Sequence, residues 1–215
     1  MRTTRWFIAG LVCSASFSAA ASAQQARYFD DSWFWGVKSG VATFSPTLGG
    51  NETAATYGGE WLITRQKGGL YVSVDQANVS TVSAVVDANT SDGLRPVTVN
   101  KLRRVGFAAL AFPVRFGRVR PYAGLGLSLN MVGSASPQLS AKENSVDDAV
   151  SQRIDDHRSQ AGVLGMAGLQ VQFERLAIFG QASVVGASSS FLLGNSTLGF
   201  FEGGVRYNIG SSRSR

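Results

Sequence analysis

The residue types that could do chemistry are few, and the most specific arrangement is a histidine close to a serine. His157 is the only histidine of the chain, and Ser159 follows two residues later. A serine hydroxyl beside an imidazole can act as a nucleophile, because the imidazole accepts its proton. The alternative is a solvated loop edge, since Asp155, Asp156 and Arg158 surround the pair.

This pair resembles the H-x-S element of the lipid A deacylase family, small barrels in which such a serine attacks an acyl ester. The resemblance stops there: Gln160 stands where the family has asparagine, and Val171 falls where it has an acid. We therefore predict that the protein is not an enzyme. Lipid A ester hydrolysis by His157 and Ser159 is kept as an alternative.

A second set of chemical groups consists of charged residues on the polar sides of extended segments: Lys38, Glu60, Asp75, Glu202 and Arg206. These segments are the first, second, third and eighth along the chain, and they become neighbours if a barrel closes. An eight-stranded barrel is just wide enough for side chains to fill it. Buried charges must be paired, because desolvation is costly. We predict a lumen plugged by paired charges and no conducting pore.

The acidic stretch at residues 142–158 is the remaining chemical feature. Its five carboxylates fit no calcium-loop spacing, so a solvated loop is expected. The sequence has no zinc spacing, no phosphate-cradling glycine loop and no cofactor motif. We predict neither metal nor cofactor.

The elements that must position these residues are strands, because apolar and polar residues alternate along the chain. Residues 121–131 are the clearest case, with Ala123, Leu125, Leu127 and Leu129 on one side and glycine, serine and asparagine on the other. Eight such segments are predicted, at residues 33–44, 57–64, 70–75, 104–116, 121–131, 160–173, 178–184 and 201–209. The fourth is apolar on both sides, with Pro113 near its end.

The connections alternate between short and long. Residues 66–69, 117–119 and 174–175 read as tight turns, whereas residues 45–53, 77–101, 133–158 and 186–195 are longer. This order is typical of a membrane barrel with short periplasmic turns, longer external loops and both chain ends inside. Residues 79–86 and 97–99 could extend strands above the membrane, which leaves ten strands as an alternative.

The N-terminus predicts export. A basic start, a short apolar stretch at residues 6–12 and the sequence Ala21-Ser22-Ala23 are typical of a signal peptide over residues 1–23. Its cleavage removes Cys13 and leaves 18 basic against 14 acidic residues. This charge of about +4 is too small and scattered to indicate nucleic-acid binding, and it is compatible with anionic lipid headgroups. We expect a periplasmic segment at 24–32, a barrel at 33–210 and a tail at 211–215.

The mature chain is rich in apolar residues, yet its longest apolar run, residues 107–114, has only eight residues. Strands that satisfy one another's backbone groups are then the expected way to cross lipid, which means a closed antiparallel transmembrane β-barrel. A soluble lipocalin-like barrel would also alternate, with its apolar side inward. The aromatic residues favour the membrane, because an interfacial girdle is predicted on the apolar side from Trp33, Trp35, Tyr57, Trp61, Phe173, Phe201 and Tyr207.

The last predicted strand carries Glu202, Gly204, Tyr207 and Ile209 at the spacing of polar, glycine, aromatic and apolar residues. This resembles the C-terminal β-signal of bacterial outer-membrane proteins, and the mature chain resembles the small OmpA-, OmpX- and OmpW-like barrels. The resemblance implies location in the outer membrane, insertion by the barrel-assembly machinery, and contact with lipids, lipopolysaccharide and surface partners. It implies a structural or surface-interaction role, with OmpW-like passage of small apolar compounds as an alternative.

Overall fold

The computed structural model describes residues 29–139, 143, 145–187, 191–193 and 197–211. Within them eight antiparallel strands close into one barrel, each paired with its sequence neighbours and the first with the last. The predicted signal peptide at 1–23 and residues 212–215 lie outside the described residues. The elements are β1 (Ser32–Phe44), β2 (Glu52–Thr64), β3 (Gly68–Val86), β4 (Leu94–Ala111), β5 (Val119–Pro137), α1 (Asp148–Asp156), β6 (Ser159–Phe173), β7 (Leu176–Gly186) and β8 (Thr197–Ser211).

The barrel wall is apolar on its outer side and polar on its inner side, which is the reverse of a soluble barrel. Leu125 and Leu127 point outward and are 71% and 64% exposed, whereas Lys38 and Arg206 point inward and are 5% and 0% exposed. Alternate residues of a strand face opposite sides of the sheet, so each strand carries one apolar and one polar row. The predicted eight-stranded barrel with its apolar side outward is confirmed, and the soluble alternative is wrong.

The strands extend further at one end than the sequence predicted. Residues 77–101 were expected to form a loop, with strand extensions at 79–86 and 97–99 as an alternative. The extensions are present, since β3 continues to Val86 and β4 begins at Leu94. The β-branched residues of this stretch favour strands, and they pair from Thr81 opposite Val99 to Val86 opposite Leu94. Because these residues lengthen two existing strands, the alternative of ten strands is wrong among the described residues.

At the opposite end β4 is shorter than expected. It ends at Ala111, and Pro113 lies just beyond the strand rather than inside its end. Proline cannot donate to the strand ladder, which accounts for this early end. The tight turn predicted at 117–119 is present, with reciprocal backbone hydrogen bonds between Phe116 and Val119. The expected alternation of short and long connections is therefore less strict than predicted. The connection 87–93, expected to be long, and the connection 112–118, expected to be short, have similar lengths.

We call the end with residues 65–67, 112–118 and 174–175 the turn end, and the opposite end the loop end. Both described chain ends lie at the turn end, where Ser32 is opposite Ser211. In membrane barrels the turn end faces the periplasm and the loop end faces outward.

The loop end is capped by a short helix that the sequence analysis did not predict. Helix α1 lies within the expected loop 133–158, and its Val150 and Ile154 are 2% and 4% exposed. Their spacing of four residues places them on one face of the helix, in the same apolar cluster as Val97 and Leu192. No helix in the described part of the chain is long and apolar enough to cross a membrane.

Close packing of neighbouring strands requires glycine at Gly126. A Cβ there would overlap the carbonyl oxygen of Phe107 and lie 2.6 Å from the Cα of Ala108. Only a residue without a side chain lets β4 and β5 approach in this way.

Candidate functional site

The centre of the barrel is occupied by ionised side chains from the inward rows. Lys38 on β1 lies 2.9 Å from Asp75 Oδ1 on β3 and 2.9 Å from Glu202 Oε2 on β8. The three side chains are at most 2% exposed. Strand pairing brings β8 next to β1, so residues far apart in sequence share one site.

Arg104 on β4 is a member of this group that the sequence analysis missed. Its Nη2 lies 2.6 Å from Asp75 Oδ2 and 2.9 Å from Glu202 Oε1, and its Nη1 donates to Ser183 Oγ at 3.1 Å. Two cations and two carboxylates therefore alternate in space. The guanidinium also lies over the ring of Phe200, 3.7 Å from its centroid.

A second buried pair joins Arg206 on β8 to Glu60 on β2. The Nε of Arg206 donates to Glu60 Oε1, and its Nη1 donates to Gln170 Oε1 at 2.7 Å. The guanidinium lies 3.8 Å from the centroid of the Phe179 ring. Gly36 leaves the required space, because a Cβ there would lie 2.9 Å from Glu60 Cγ.

Tyr71 and Gln181 connect the two groups. The Tyr71 hydroxyl donates to Glu60 Oε2 and accepts from Lys38 Nζ, both at 3.0 Å. Gln181 Nε2 donates to Tyr71 at 3.0 Å and to Glu202 Oε2 at 3.1 Å. Three cations and three carboxylates thus form one connected network, which compensates their desolvation through mutual pairing. We call it the lumen network: Lys38, Glu60, Tyr71, Asp75, Arg104, Gln181, Glu202 and Arg206. The structure brings all five charged residues singled out from the sequence into it.

At the turn end, the residues that precede β1 pack against inward-facing residues of the barrel. Phe29 is fully buried and its ring meets that of Phe112 edge-on, with centroids 4.8 Å apart. Asp30 forms ion pairs with Arg115 at 3.1 Å and with Arg120 at 3.8 Å. A periplasmic segment was predicted at 24–32, of which 24–28 lie outside the described residues, and no sequence signal indicated that its end enters the barrel.

The predicted girdle residues all lie on the outer surface, but at two different heights. Trp61 packs between Trp33 and Trp35, with ring centroids 5.3 and 6.0 Å away. These three, with Phe173 and Tyr207, lie toward the turn end. Tyr57 and Phe201 lie nearer the loop end, opposite Ser39 and Val41 of β1.

The two weak catalytic candidates do not form a catalytic arrangement in the described part of the chain. His157 follows the last turn of α1, and its Nδ1 lies 2.6 Å from the carbonyl oxygen of Arg153. Ser159 is an exposed residue at the start of β6, opposite Met131. No hydrogen bond joins His157 to Ser159, and no three His, Cys, Asp or Glu residues of the described ranges could hold a metal ion.

The four residues of the expected assembly signal lie on β8, which forms the closing seam with β1. Glu202 belongs to the lumen network, and Gly204 is in tight contact with β1, since a Cβ there would overlap the carbonyl oxygen of Val37. Tyr207 and Ile209 point outward and are 50% and 51% exposed. Their recognition by the assembly machinery stays a prediction.

No protein-family profile matches the chain, and no curated protein matches its sequence. Solved structures do match its fold. Neisserial surface protein A (NspA) is 16% identical with a TM-score of 0.57, covering 82% of this chain and 97% of that one. Ail, the attachment invasion locus protein of Yersinia pestis, is 12% identical with a TM-score of 0.51, covering 84% and 100%.

The fold is therefore that of the small eight-stranded outer-membrane barrels. A closed ring of strands with an apolar outer surface and a polar interior can cross lipid without leaving unpaired backbone groups. The protein is an integral β-barrel of the cell outer membrane.

Proposed function

We propose that this protein is a non-conducting barrel that displays a rigid sheet on the cell surface, where it contacts extracellular proteins. The observation that carries this proposal is an unpaired strand edge on β3, beyond the end of the barrel wall. The filled lumen supports the non-conducting part, since the lumen network and the residues around Phe29 occupy the path that ions or solutes would take.

The displayed sheet consists of the ends of β3, β4 and β5. β3 pairs with β4 as far as Val86 opposite Leu94, and β4 pairs with β5 as far as Val97 opposite Pro137. On its other side, β3 pairs with β2 only as far as Ala77 opposite Thr56. Within the described residues, 82–86 thus have a neighbouring strand on one side only.

The backbone groups of this edge point away from the sheet. The amide of Asp87 donates to Gly93 at 2.9 Å, which marks a hydrogen-bonded pair. Hydrogen-bonded and non-hydrogen-bonded residue pairs alternate along an antiparallel ladder. Ala84 therefore belongs to a non-hydrogen-bonded pair. Pro96 lies opposite Ala84, and this is consistent with a non-hydrogen-bonded pair because proline has no N–H to donate. The N–H and C=O groups of Val82, Ala84 and Val86 therefore face away from β4. Val82 is 38% exposed, whereas Ala84 is buried and the C=O of Val86 accepts a hydrogen bond from Arg153 Nη1 of α1 at 2.6 Å.

The composition of the edge favours pairing with another strand. Residues 78–86 carry no charge and contain five β-branched valines and threonines. Natural edge strands are usually protected by charges, proline or bulges. β3 has a register irregularity between Asn78 and Thr81, but beyond it the edge carries neither charge nor proline. Such an edge can accept an extended segment of a partner as an additional strand. Helix α1 and the barrel wall hold the sheet in place, which limits the entropy lost on binding.

Replacement of Val82 by lysine tests the edge. We expect bacteria that display the protein to bind a surface coated with serum proteins, and Val82→Lys to reduce this binding several-fold, because a charge on the edge opposes strand addition. Leu48→Lys is the matched control, since Leu48 is an exposed apolar residue of the same end outside the sheet. Equal binding by the parent protein and Val82→Lys would reject the proposed contact.

Planar bilayer recordings test the closed lumen separately. We expect no discrete conductance steps from the purified protein, because the paired side chains of the lumen network are buried in the barrel interior. Steady open-channel currents would show that the barrel conducts and would favour a transport role.

A further inference from the structure

The outer surface of the barrel changes from apolar to polar at a defined height on β3 and β4. Val74 and Phe107 are 59% and 53% exposed and belong to the apolar belt. Closer to the loop end, the next outward position after Val74 is Gln76, and the next one after Val105 on β4 is Arg103, which lies opposite Gln76. The next outward position on β4 is Lys101. This boundary is the height at which the outer leaflet places its charged headgroups.

Arg103 contacts its cross-strand neighbour Gln76. Its Nε donates to Gln76 Oε1 at 3.4 Å, and Gln76 Nε2 donates in turn to the Tyr57 hydroxyl at 2.6 Å. The side chain of Arg103 is exposed, and these bonds use only its Nε. A guanidinium carries two terminal nitrogens in a fork geometry that suits a phosphate.

Two further cations lie beside Arg103. Lys101 is two residues away on the same side of β4 and is exposed. Arg158 donates from Nη2 to the carbonyl oxygen of Gly133 at 3.2 Å. Gly133 in turn adjoins Lys101, since a Cβ at Gly133 would lie 3.1 Å from Lys101 Cβ. The three cations therefore form one patch across β4, β5 and the start of β6.

The patch has little compensating negative charge of its own. Asp155 pairs with Arg158 at 3.0 Å, while within the described ranges no carboxylate forms an ion pair with Lys101 or Arg103. Other acidic groups of this end lie on the 87–93 connection, along α1, and at Glu52 and Glu143. Because the patch lies at the membrane boundary, the anions that it meets are those of the outer leaflet.

We propose that Arg103, Lys101 and Arg158 form a binding site for a phosphate group of lipid A, the lipid part of lipopolysaccharide. Arg103 donates from its terminal nitrogens, Lys101 contributes a flexible ammonium, and Arg158 completes the site from the side. The acyl chains of the same molecule lie against the apolar belt around Phe107. The site assumes that the loop end faces outward, and it is independent of the proposed contact through the edge of β3.

Lipid titration of the folded, delipidated full-length protein tests the site. Native mass spectrometry measures binding of bisphosphorylated lipid A, dephosphorylated lipid A, phosphatidylglycerol and inorganic phosphate. We expect bisphosphorylated lipid A to bind most tightly and Lys101→Gln/Arg103→Gln to weaken it by about tenfold or more, because charge-assisted hydrogen bonds are lost. Binding of the dephosphorylated form is expected to be weak and unchanged by the substitutions.

Two variants separate the site from general effects of charge or folding. Lys67→Gln/Arg175→Gln removes two exposed cations at the turn end and is expected to leave lipid A binding unchanged. Gln76→Ala keeps both cations but releases Arg103, and an intermediate loss is expected. Migration of unboiled protein on gels verifies folding of each variant. Equal binding of lipid A by the parent and Lys101→Gln/Arg103→Gln would overturn the proposal, as would equally tight binding of phosphatidylglycerol.

Discussion

Arg206 is the most completely buried ionised side chain of the lumen network, and its environment shows how strongly the charges depend on one another. Removing one member of a buried pair leaves the other charged and without its partner. Replacing both with apolar residues avoids that penalty. The lumen network therefore restricts which combinations of residues allow the barrel to fold. This restriction matters more than any net stability that the network adds.

We predict that Arg206→Met lowers the free energy of unfolding by about 3–5 kcal/mol, because Glu60 stays buried without its partner. The double variant Glu60→Leu/Arg206→Met should recover most of this loss. Urea titration of the protein in lipid vesicles, followed by tryptophan fluorescence, measures the difference. Equal loss in the single and double variants would show that packing, and not the unpaired charge, determines the effect.

The lumen residues were only partly predictable. Lys38, Glu60 and Glu202 stand on the polar side of clearly alternating segments, so their inward direction follows from the pattern. Arg104 was missed because residues 104–116 appear apolar on both sides. Tyr71 was missed because only the closed barrel places its hydroxyl between Lys38 and Glu60. Partners that meet across the lumen leave no signal in the local sequence.

The β3–β4 hairpin is held to the rest of the loop end by a charged contact. Arg95 donates to Asp87 Oδ2 at 2.5 Å and to both oxygens of Glu143 at 2.6 and 2.9 Å. These carboxylates raise the pKa of Arg95, Glu143 most strongly. The backbone N–H of Asn89 and the guanidinium of Arg95 lower the pKa of Asp87 from its ordinary value of 3.8.

A group whose pKa is lowered by folding stabilises the fold above its ordinary pKa and loses this contribution as the pH falls through the folded value. We therefore predict that the hairpin keeps its contacts at pH 3.8 and above and loosens only at lower pH. The NMR signal of the Asn89 amide should shift in that lower range, and Asp87→Asn should abolish the shift. An Asn89 signal that titrates above pH 3.8 in the parent protein would contradict the prediction.

At the scale of elements, the strands inside the membrane were predicted better than those outside it. Contact with lipid imposes a strict alternation, which marks the strands. Residues 77–101 are freed from that constraint, so the sequence indicated only parts of these strands, at 79–86 and 97–99. Helix α1 was missed because it has only two buried residues, Val150 and Ile154, and their burial depends on strands distant in sequence.

The whole molecule was predictable because each strand pairs with its neighbour in sequence. Once eight alternating segments are recognised, antiparallel order and closure of β1 on β8 follow from the need to leave no open edge in lipid. The chemistry of the loop end does not follow in this way. Specificity there depends on residues that the barrel itself does not constrain.

We predict that Tyr207→Ala slows insertion by the assembly machinery in outer-membrane preparations without changing unassisted folding into lipid vesicles. The reason is that Tyr207 points outward at the seam strand, opposite Trp35 and outside the lumen network. Val205→Ala is the control, because Val205 is an outward residue of the same strand outside the signal. The rate of assisted insertion and the rate of unassisted folding are both measured on gels, as the appearance over time of heat-modifiable protein. Similar slowing in vesicles would mean that Tyr207 stabilises the barrel and does not act as a signal.

The pairing of Ser32 with Ser211 has a practical consequence. Because the first and last strands are neighbours, a short peptide could link them and the chain could be opened instead between β1 and β2. The cylinder would keep all of its strand ladders. Such a circularly permuted protein would carry both termini at the loop end, where a fused peptide would be displayed to the medium.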